Sequence, residues 1–255
     1  PWTHYCPLNA FDIVNDQIVF QGNVDLPMHG YGGIDIAFDK LTNTLFVSFE
    51  NEDSGVGNII EIVDATTLQN IARTIEGVTD LTSIVFDTET RELYATDRNT
   101  NLLHVLSWNP AQRMASLEKT IELENIDYAC GLVINDDLLY VSEFQYSISG
   151  NMTYYSGVNC YRISEDFAFV ETVDMGDKTV ALGYESAANT LYGGAYAYTG
   201  DYHHLIKHPL DDPNGLIQKD LGAGMVGIAC DDTVAGRVFL TTYRNHGIEN
   251  KEYYG

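Results

Sequence analysis

The chain has 255 residues, 45% hydrophobic and 20% charged, an ordinary globular balance in a length that suits one large all-β domain. Its 37 acidic and 13 basic side chains give a formal net charge of -24, a surface that repels phosphate and argues against DNA, RNA or an anionic membrane as a partner. No apolar run approaches the ~20 residues of a bilayer-crossing helix, and no linker or low-complexity break divides the chain, so residues 1–255 read as a single domain. Pro1 is not an initiator, and the chain reads as a processed product or an excerpt of a longer protein.

Taken in order, the first predicted elements lie between Tyr5 and Leu26, where AFDIV and IVFQGNVDL are two apolar runs separated by a turn. GGIDIAFDKLTNTLFVSFE follows from Gly32 to Glu50, then LTSIVFDTETRELYATD from Leu81 to Asp97. The same grammar returns in CGLVINDDLLYVSE (Cys130 to Glu143), VALGYESAANTLYGGAY (Val180 to Tyr196) and VGIACDDTVAGRVFLTTY (Val226 to Tyr243). Each is an apolar run, an acidic or Asn/Gly turn, and a second run of the type Leu–Tyr/Phe–Val. The acidic residue falls at Asp39, Asp87, Asp136, Glu185 and Asp231, in steps of 46 to 49 residues. Such a period is that of propeller blades.

Behind each pair comes a third run, at Asn58 to Val63, Leu102 to Trp108, Val158 to Ile163 and His204 to His208, and then a fourth. These runs are β-branched and aromatic, with turn residues at their ends and no sustained helical period. Four antiparallel strands repeated at this step predict an all-β fold, a β-propeller of four-stranded antiparallel blades. A β-sandwich gives no reason for the repeat. The inner strands carry small residues, among them Gly131, Gly183 and Gly227, as crowding near an axis requires. The first two runs match the third and fourth strands of a unit, so the two chain ends make a composite blade and a total of five; a continuing chain makes six.

The pattern Gly–Ile/Leu–x–Val/Ile–Asp followed by Leu–Tyr–Val–Ser/Thr resembles the NHL- and YVTN-type propellers of secreted and cell-surface microbial proteins, over nearly the whole chain. The literal YVTN tetrapeptide is absent. The resemblance implies an extracellular, cell-surface or periplasmic binding or scaffold module, or part of a surface assembly. Some relatives are lactonases or lyases, so a propeller hydrolase or lyase with a metal or polar site at the channel mouth is the alternative; no catalytic residue of those enzymes is matched here.

In a propeller, the connections from second to third strand and from one blade to the next share a face. Here that face collects the long loops, such as GAYAYTGDYHH (Gly194 to His204) and EFQYSISGNMTYYSG (Glu143 to Gly157). With them come Tyr146, Tyr154, Tyr155, Tyr196, Tyr198, Tyr202, His203, Tyr243 and His246, the candidate ligand contacts. Tyrosine offers large rigid area, a hydroxyl and little entropy to lose, so the face suits a protein or a glycan. Neighbours in a strand point oppositely, so His203 and His204 read as one solvent-facing and one packed ring rather than a metal pair. Asp80, Asp127 and Asp177 each precede a first strand and converge on the channel mouth, where carboxylates suit calcium; capping of their own turns is the plainer role. Nucleophile elbow, zinc-protease, P-loop and dinucleotide motifs are missing. Cys6, Cys130, Cys160 and Cys230 show no metal spacing and are open to disulfides or to buried thiols.

Overall fold

The repeat resolves into strands where its apolar runs lie, in a computed structural model that describes residues 5–14, 17–27, 32–50, 59–74, 81–97, 100–146, 152–194, 204–212, 214–221, 224–230 and 237–243. Two compact units divide the chain, Pro1–Arg98 with Leu103–Ile121 and Asn99–Leu102 with Glu122–Gly255. In the first, β1 (Tyr5–Val14) and β2 (Gln17–Pro27) pair alone. Two four-stranded sheets follow: β3 (Gly32–Asp39), β4 (Thr44–Glu50), β5 (Ile59–Asp64) and β6 (Gln69–Thr74), then β7 (Leu81–Asp87), β8 (Glu92–Asp97), β9 (Leu102–Asn109) and β10 (Met114–Glu122).

The second unit holds β11 (Ala129–Asn135), β12 (Leu138–Tyr146), β13 (Met152–Arg162) and β14 (Ala168–Asp174) in one sheet. The next is β15 (Ala181–Glu185), β16 (Thr190–Gly194), β17 (His204–Pro209) and β18 (Ile217–Asp220), and a last pair is β19 (Gly224–Cys230) with β20 (Val238–Tyr243). Sheet neighbours are consecutive in the chain, and four complete blades stand where four complete repeats were read. The helical content of the described residues is two single 3-10 turns, Ile163–Glu165 and Ser186–Ala188.

The acidic punctuation is turn chemistry. Asp39 Oδ1 accepts from the Leu41 N–H at 3.1 Å, and Asp87 Oδ1 from Glu89 N–H at 2.8 Å. Asp64 does the same in the turn between third and fourth strands, accepting from the N–H groups of Thr66 and Thr67. Each first hairpin then closes through a left-handed residue: Asn43 (φ 54°), Arg91 (66°), Asp136 (50°) and Asn189 (43°). Asn and Asp visit that region cheaply; an arginine does so only when something else holds it.

What holds Arg91 is the neighbouring blade. Its guanidinium grips Asp39 with two bonds, 2.7 Å to Oδ1 and 2.6 Å to Oδ2, and lies 5.1 Å from the centre of the Phe86 ring. The Tyr/Phe position of the second strands is buried in each complete blade, at Phe46, Tyr94, Tyr140 and Tyr192. Phe46 stacks on Phe86 and meets Trp108 edge-on, each at 5.2 Å between centroids. Rings of this size each contribute about 1.5–3 kcal/mol when taken fully out of water.

In the second unit, crowding of the inner strands is visible at two glycines. A Cβ on Gly131 would stand 2.1 Å from the Val180 carbonyl oxygen, and one on Gly183 would stand 2.6 Å from Ile228 Cγ2. The small residues expected of inner strands are therefore required by contact between blades. The outer strands are the wet ones: all of β18 is exposed, with Lys219 and Asp220 guarding its edge.

The sequence reads Glu143 to Gly157 as a long loop; the structure differs, with β12 running on to Tyr146 and β13 beginning at Met152. Tyr146 stands opposite Met152, and Phe144 opposite Tyr154. The residues on both sides are good strand formers, so the ladder continues past the blade after an irregularity between Ser142 and Phe144.

Candidate functional site

At one end of the blades of the second unit, second strands finish, third strands begin, and the chain crosses to the next first strand. An open cleft of about 750 Å³ lies there. Its wall is Glu122 at the end of β10 and the connection from β10 to β11, which carries Glu124, Asn125 and Asp127; Glu143 on β12 and Tyr155 on β13 face it. Asn101, Leu123 and Ile126 complete the lining, and none of these described residues is cationic.

Buried polar groups of β13 hold the wall in place. Tyr161 OH donates to the Glu124 carbonyl at 2.6 Å, and Asn159 Nδ2 donates to the Asn125 carbonyl at 2.7 Å. Asn159 is itself oriented by Thr172, whose hydroxyl donates to its Oδ1 at 2.6 Å. Asn125 sits in the left-handed region (φ 59°), and Asn101 Nδ2 donates to the Leu123 carbonyl at 3.2 Å. Leu123 and Ile126 are buried, while Glu122, Glu124 and Asp127 beside them are exposed.

The electrostatics follow from this placement. Burial pushes Glu143 above the usual carboxylate range; the Asp127 N–H, donated at 3.3 Å, pulls it back, and the nearby Asp127 charge pushes it up again. Tyr155 is also raised, by burial first and then by the charges of Glu143 and Asp127, so its phenol keeps its proton. Four carboxyl groups with no cation among the described lining residues make a site that accepts hydrogen bonds and positive charge.

A second feature lies at the same end of this unit. His204, the first residue of β17, places Nδ1 2.6 Å from Asp177 Oδ2, on the connection between β14 and β15. The other oxygen of Asp177 accepts from the Lys178 N–H at 2.7 Å. Thr179, fully buried, donates its N–H to the Tyr155 carbonyl at 2.9 Å, so the Asp177 connection is tied to the strand that lines the cleft.

The structure thus brings Asp127 and Tyr155 together, and sets Asp177 against His204 instead. Among the described residues no group of three or more His, Cys, Asp or Glu is arranged to hold a metal ion. Tyr146 and Tyr154 are strand residues of the extended hairpin, and Tyr243 ends β20 opposite Gly224. Tyr196, Tyr198, Tyr202, His203, His246 and Asp80 lie outside the described residues. Cys130, Cys160 and Cys230 carry thiols rather than disulfide sulfurs, and burial pushes Cys160 up to about 11. Sequence reasoning missed Glu143, Glu122, Glu124, Asn159 and Tyr161. A polar Asn159 inside the otherwise apolar run Val158–Cys160 was the one available signal.

No protein-family model matches the sequence, and no curated protein does. Solved structures do match in shape. The chain is similar to one in the crystal structure of a nidogen/laminin complex, at 10% identity and a TM-score of 0.67, over 94% of this chain and 83% of that one. It is also similar to the Neurospora crassa Pan2 WD40 domain, at 9% identity and a TM-score of 0.56, over 88% of this chain and 64% of that one. A third likeness is to Kuenenia stuttgartiensis hydrazine synthase, at 13% identity and a TM-score of 0.54, over 74% and 49%. At such identities the likeness establishes the fold: this is an all-β propeller of four-stranded antiparallel blades, with four complete blades and two further strand pairs among the described residues.

Proposed function

We propose that the chain is a binding propeller whose recognition surface is the cleft end of the blades, and that its partner is a protein bearing a lysine- or arginine-rich segment. The observation that carries this reading is a cleft of about 750 Å³ with four carboxyl groups and no cation among its described lining residues. A low-dielectric wall behind Glu143 strengthens attraction to a positive group that enters. The whole-molecule charge of -24 adds long-range steering, which raises the rate of encounter with a basic partner. Tyr155 supplies a rigid aromatic wall against which an aliphatic lysine stem or a guanidinium packs.

The NHL/YVTN-like grammar of the repeats supports placing such a module outside the cytosol, in a secreted or cell-surface setting. Binding rather than catalysis is the reading, since the described lining of the cleft offers acceptors and charge and, among those residues, no nucleophile paired with a base.

Calorimetry with an oligolysine and an oligoarginine peptide tests it, with a glycan array run beside them. Both peptides are expected to bind. Neutralising the cleft (Glu122→Gln, Glu124→Gln, Asp127→Asn, Glu143→Gln) is expected to weaken them at least about tenfold, in line with the loss of several close charge pairs. Unchanged peptide affinity in that variant, or glycan binding without peptide binding, sinks the reading.

A further inference from the structure

A two-stranded ribbon leaves the blade beside the cleft. β11 pairs with β12 no further than Ala129 against Glu143, yet β12 continues through Phe144, Gln145 and Tyr146. These residues keep β13 as their partner, Phe144 opposite Tyr154, Gln145 opposite Thr153 and Tyr146 opposite Met152. On its far side β13 meets β14 only from Gly157. There the chain fills the lane itself: the Tyr155 and Ser156 carbonyls accept the Thr179 and Met175 N–H groups, each at 2.9 Å. On the β12 side, no strand lies beside Phe144, Gln145 and Tyr146 among the described residues. The chain that precedes β11 is committed elsewhere. Ala129 gives its N–H to the Thr100 carbonyl at 2.8 Å, and the Glu124 and Asn125 carbonyls are clamped by Tyr161 and Asn159.

A strand edge without a neighbour is a template for another strand. The foot of this edge says which strand it suits. Glu143 stands where the lane opens and accepts the Asp127 N–H at 3.3 Å, and both residues line the acidic cleft with Tyr155. A segment laid along Phe144 to Tyr146 therefore delivers its next residues to carboxylates. A second copy of this chain, at -24, is repelled there, whereas a basic segment is drawn in.

We infer that the basic segment of the partner binds as an added strand: its backbone pairs with the edge of β12 at Phe144 to Tyr146, and a lysine or arginine just beyond the pairing enters the cleft at Glu143 and Asp127. The chemistry of the segment follows. It is extended, alternates basic with β-branched residues, and has no proline where an N–H must face β12. The inference rests on the cationic-partner reading above and adds the conformation in which that partner is held.

The probe is a peptide of alternating lysine and threonine in three forms: unmodified, N-methylated at every lysine, and N-methylated at every threonine. All three carry the same charge, so the cleft alone treats them alike. In a paired strand only every second N–H faces the neighbour. One methylated form is therefore expected to bind wild type at least about fivefold more weakly than the other, the scale of one or two lost backbone hydrogen bonds. Saturation with the unmodified peptide is expected to slow amide hydrogen exchange in the Phe144 to Tyr146 stretch several-fold. A shortened variant, with residues 145–153 replaced by an Asn-Gly turn, joins Phe144 to Tyr154 and spares Glu143 and Tyr155. It is expected to keep weaker binding of the unmodified peptide and to bind the two methylated forms equally. Equal binding of those forms by wild type overturns the inference, as does unchanged exchange at Phe144 to Tyr146 or a difference that persists in the shortened variant. In each of these cases the cationic-partner reading survives on the binding of the unmodified peptide and of oligolysine. Failure of both to bind wild type overturns the two together.

Discussion

Asp39 and Arg91 carry opposite burdens. The Asp39 carboxylate is fully buried, and the guanidinium that meets it comes from a residue in a conformation arginine rarely adopts. Burial works to raise the Asp39 carboxyl, but the Arg91 and Thr42 hydrogen bonds override it and hold it below its ordinary value. A lowered carboxylate stabilises the fold above the unfolded-state value near 3.8 and loses that contribution as pH falls through the folded value. Arg91→Ala is therefore expected to cost about 2 kcal/mol in urea unfolding at pH 7, with the gap to wild type closing below that value. Asp35 runs the other way. Desolvation raises it, against hydrogen bonds from Ser83 and from the Ile84 and Ile36 N–H groups. A raised carboxyl weakens the fold most when charged, so its penalty is fully present at neutral pH and fades in acid. Asp35→Asn is expected to be far milder than Asp35→Ala, which leaves the Ile84 and Ile36 donors without an acceptor at about 1–3 kcal/mol.

At the scale of strands and blades, glycine is the sharper probe. Gly131→Ala sets a methyl against the Val180 carbonyl of the adjacent strand connection, where backbone must move; about 2 kcal/mol or more is the expected loss. Gly22→Ala on β2 meets only Leu68 Cδ1 at 3.8 Å and is expected to stay within about 0.5 kcal/mol of wild type. Thermal unfolding of the two variants compares them directly, and equal effects would contradict the close approach of β11 to the start of β15. The need for small inner residues was readable in sequence because glycine or alanine recurs in the first strand of four of the five repeats. So were the hairpins, since Asp39, Asp87 and Asp136 mark the same turn each time. The extension of β12 and β13 was not, because its Ser–Gly–Asn centre reads in sequence like any surface loop. The Asp177–His204 contact was illegible for another reason: 27 residues separate the partners, and only the alignment of a blade connection with a third strand brings them together. The clamp of Asn159 and Tyr161 on the Glu124–Asn125 backbone is likewise tertiary, with only an isolated polar residue in an apolar run to hint at it.

For the whole molecule the governing quantity is the charge of -24. Self-repulsion at that level lowers the stability of the compact state, and the same charge attracts a basic partner. Salt acts on both with opposite signs, because the screening length falls from about 10 Å at 0.1 M to about 3 Å at 1 M. The melting temperature is expected to rise with added sodium chloride while oligolysine affinity falls. Removing the four cleft charges should raise the melting temperature at low salt and flatten both dependences together. Glu143 alone separates this from a generic effect of charge. Its folded-state carboxyl is raised by burial, so its charged form opposes folding at neutral pH and that opposition fades as pH falls through the raised value toward 4.5. Glu143→Gln is expected to be more stable than wild type at pH 7 and equal to it in acid, and also to bind oligolysine more weakly at pH 7. A charge held in a cleft at the expense of stability fits the proposed recognition of a cation. A Glu143→Gln protein that is less stable at pH 7, or that binds oligolysine as well as wild type does, would break the link between the two.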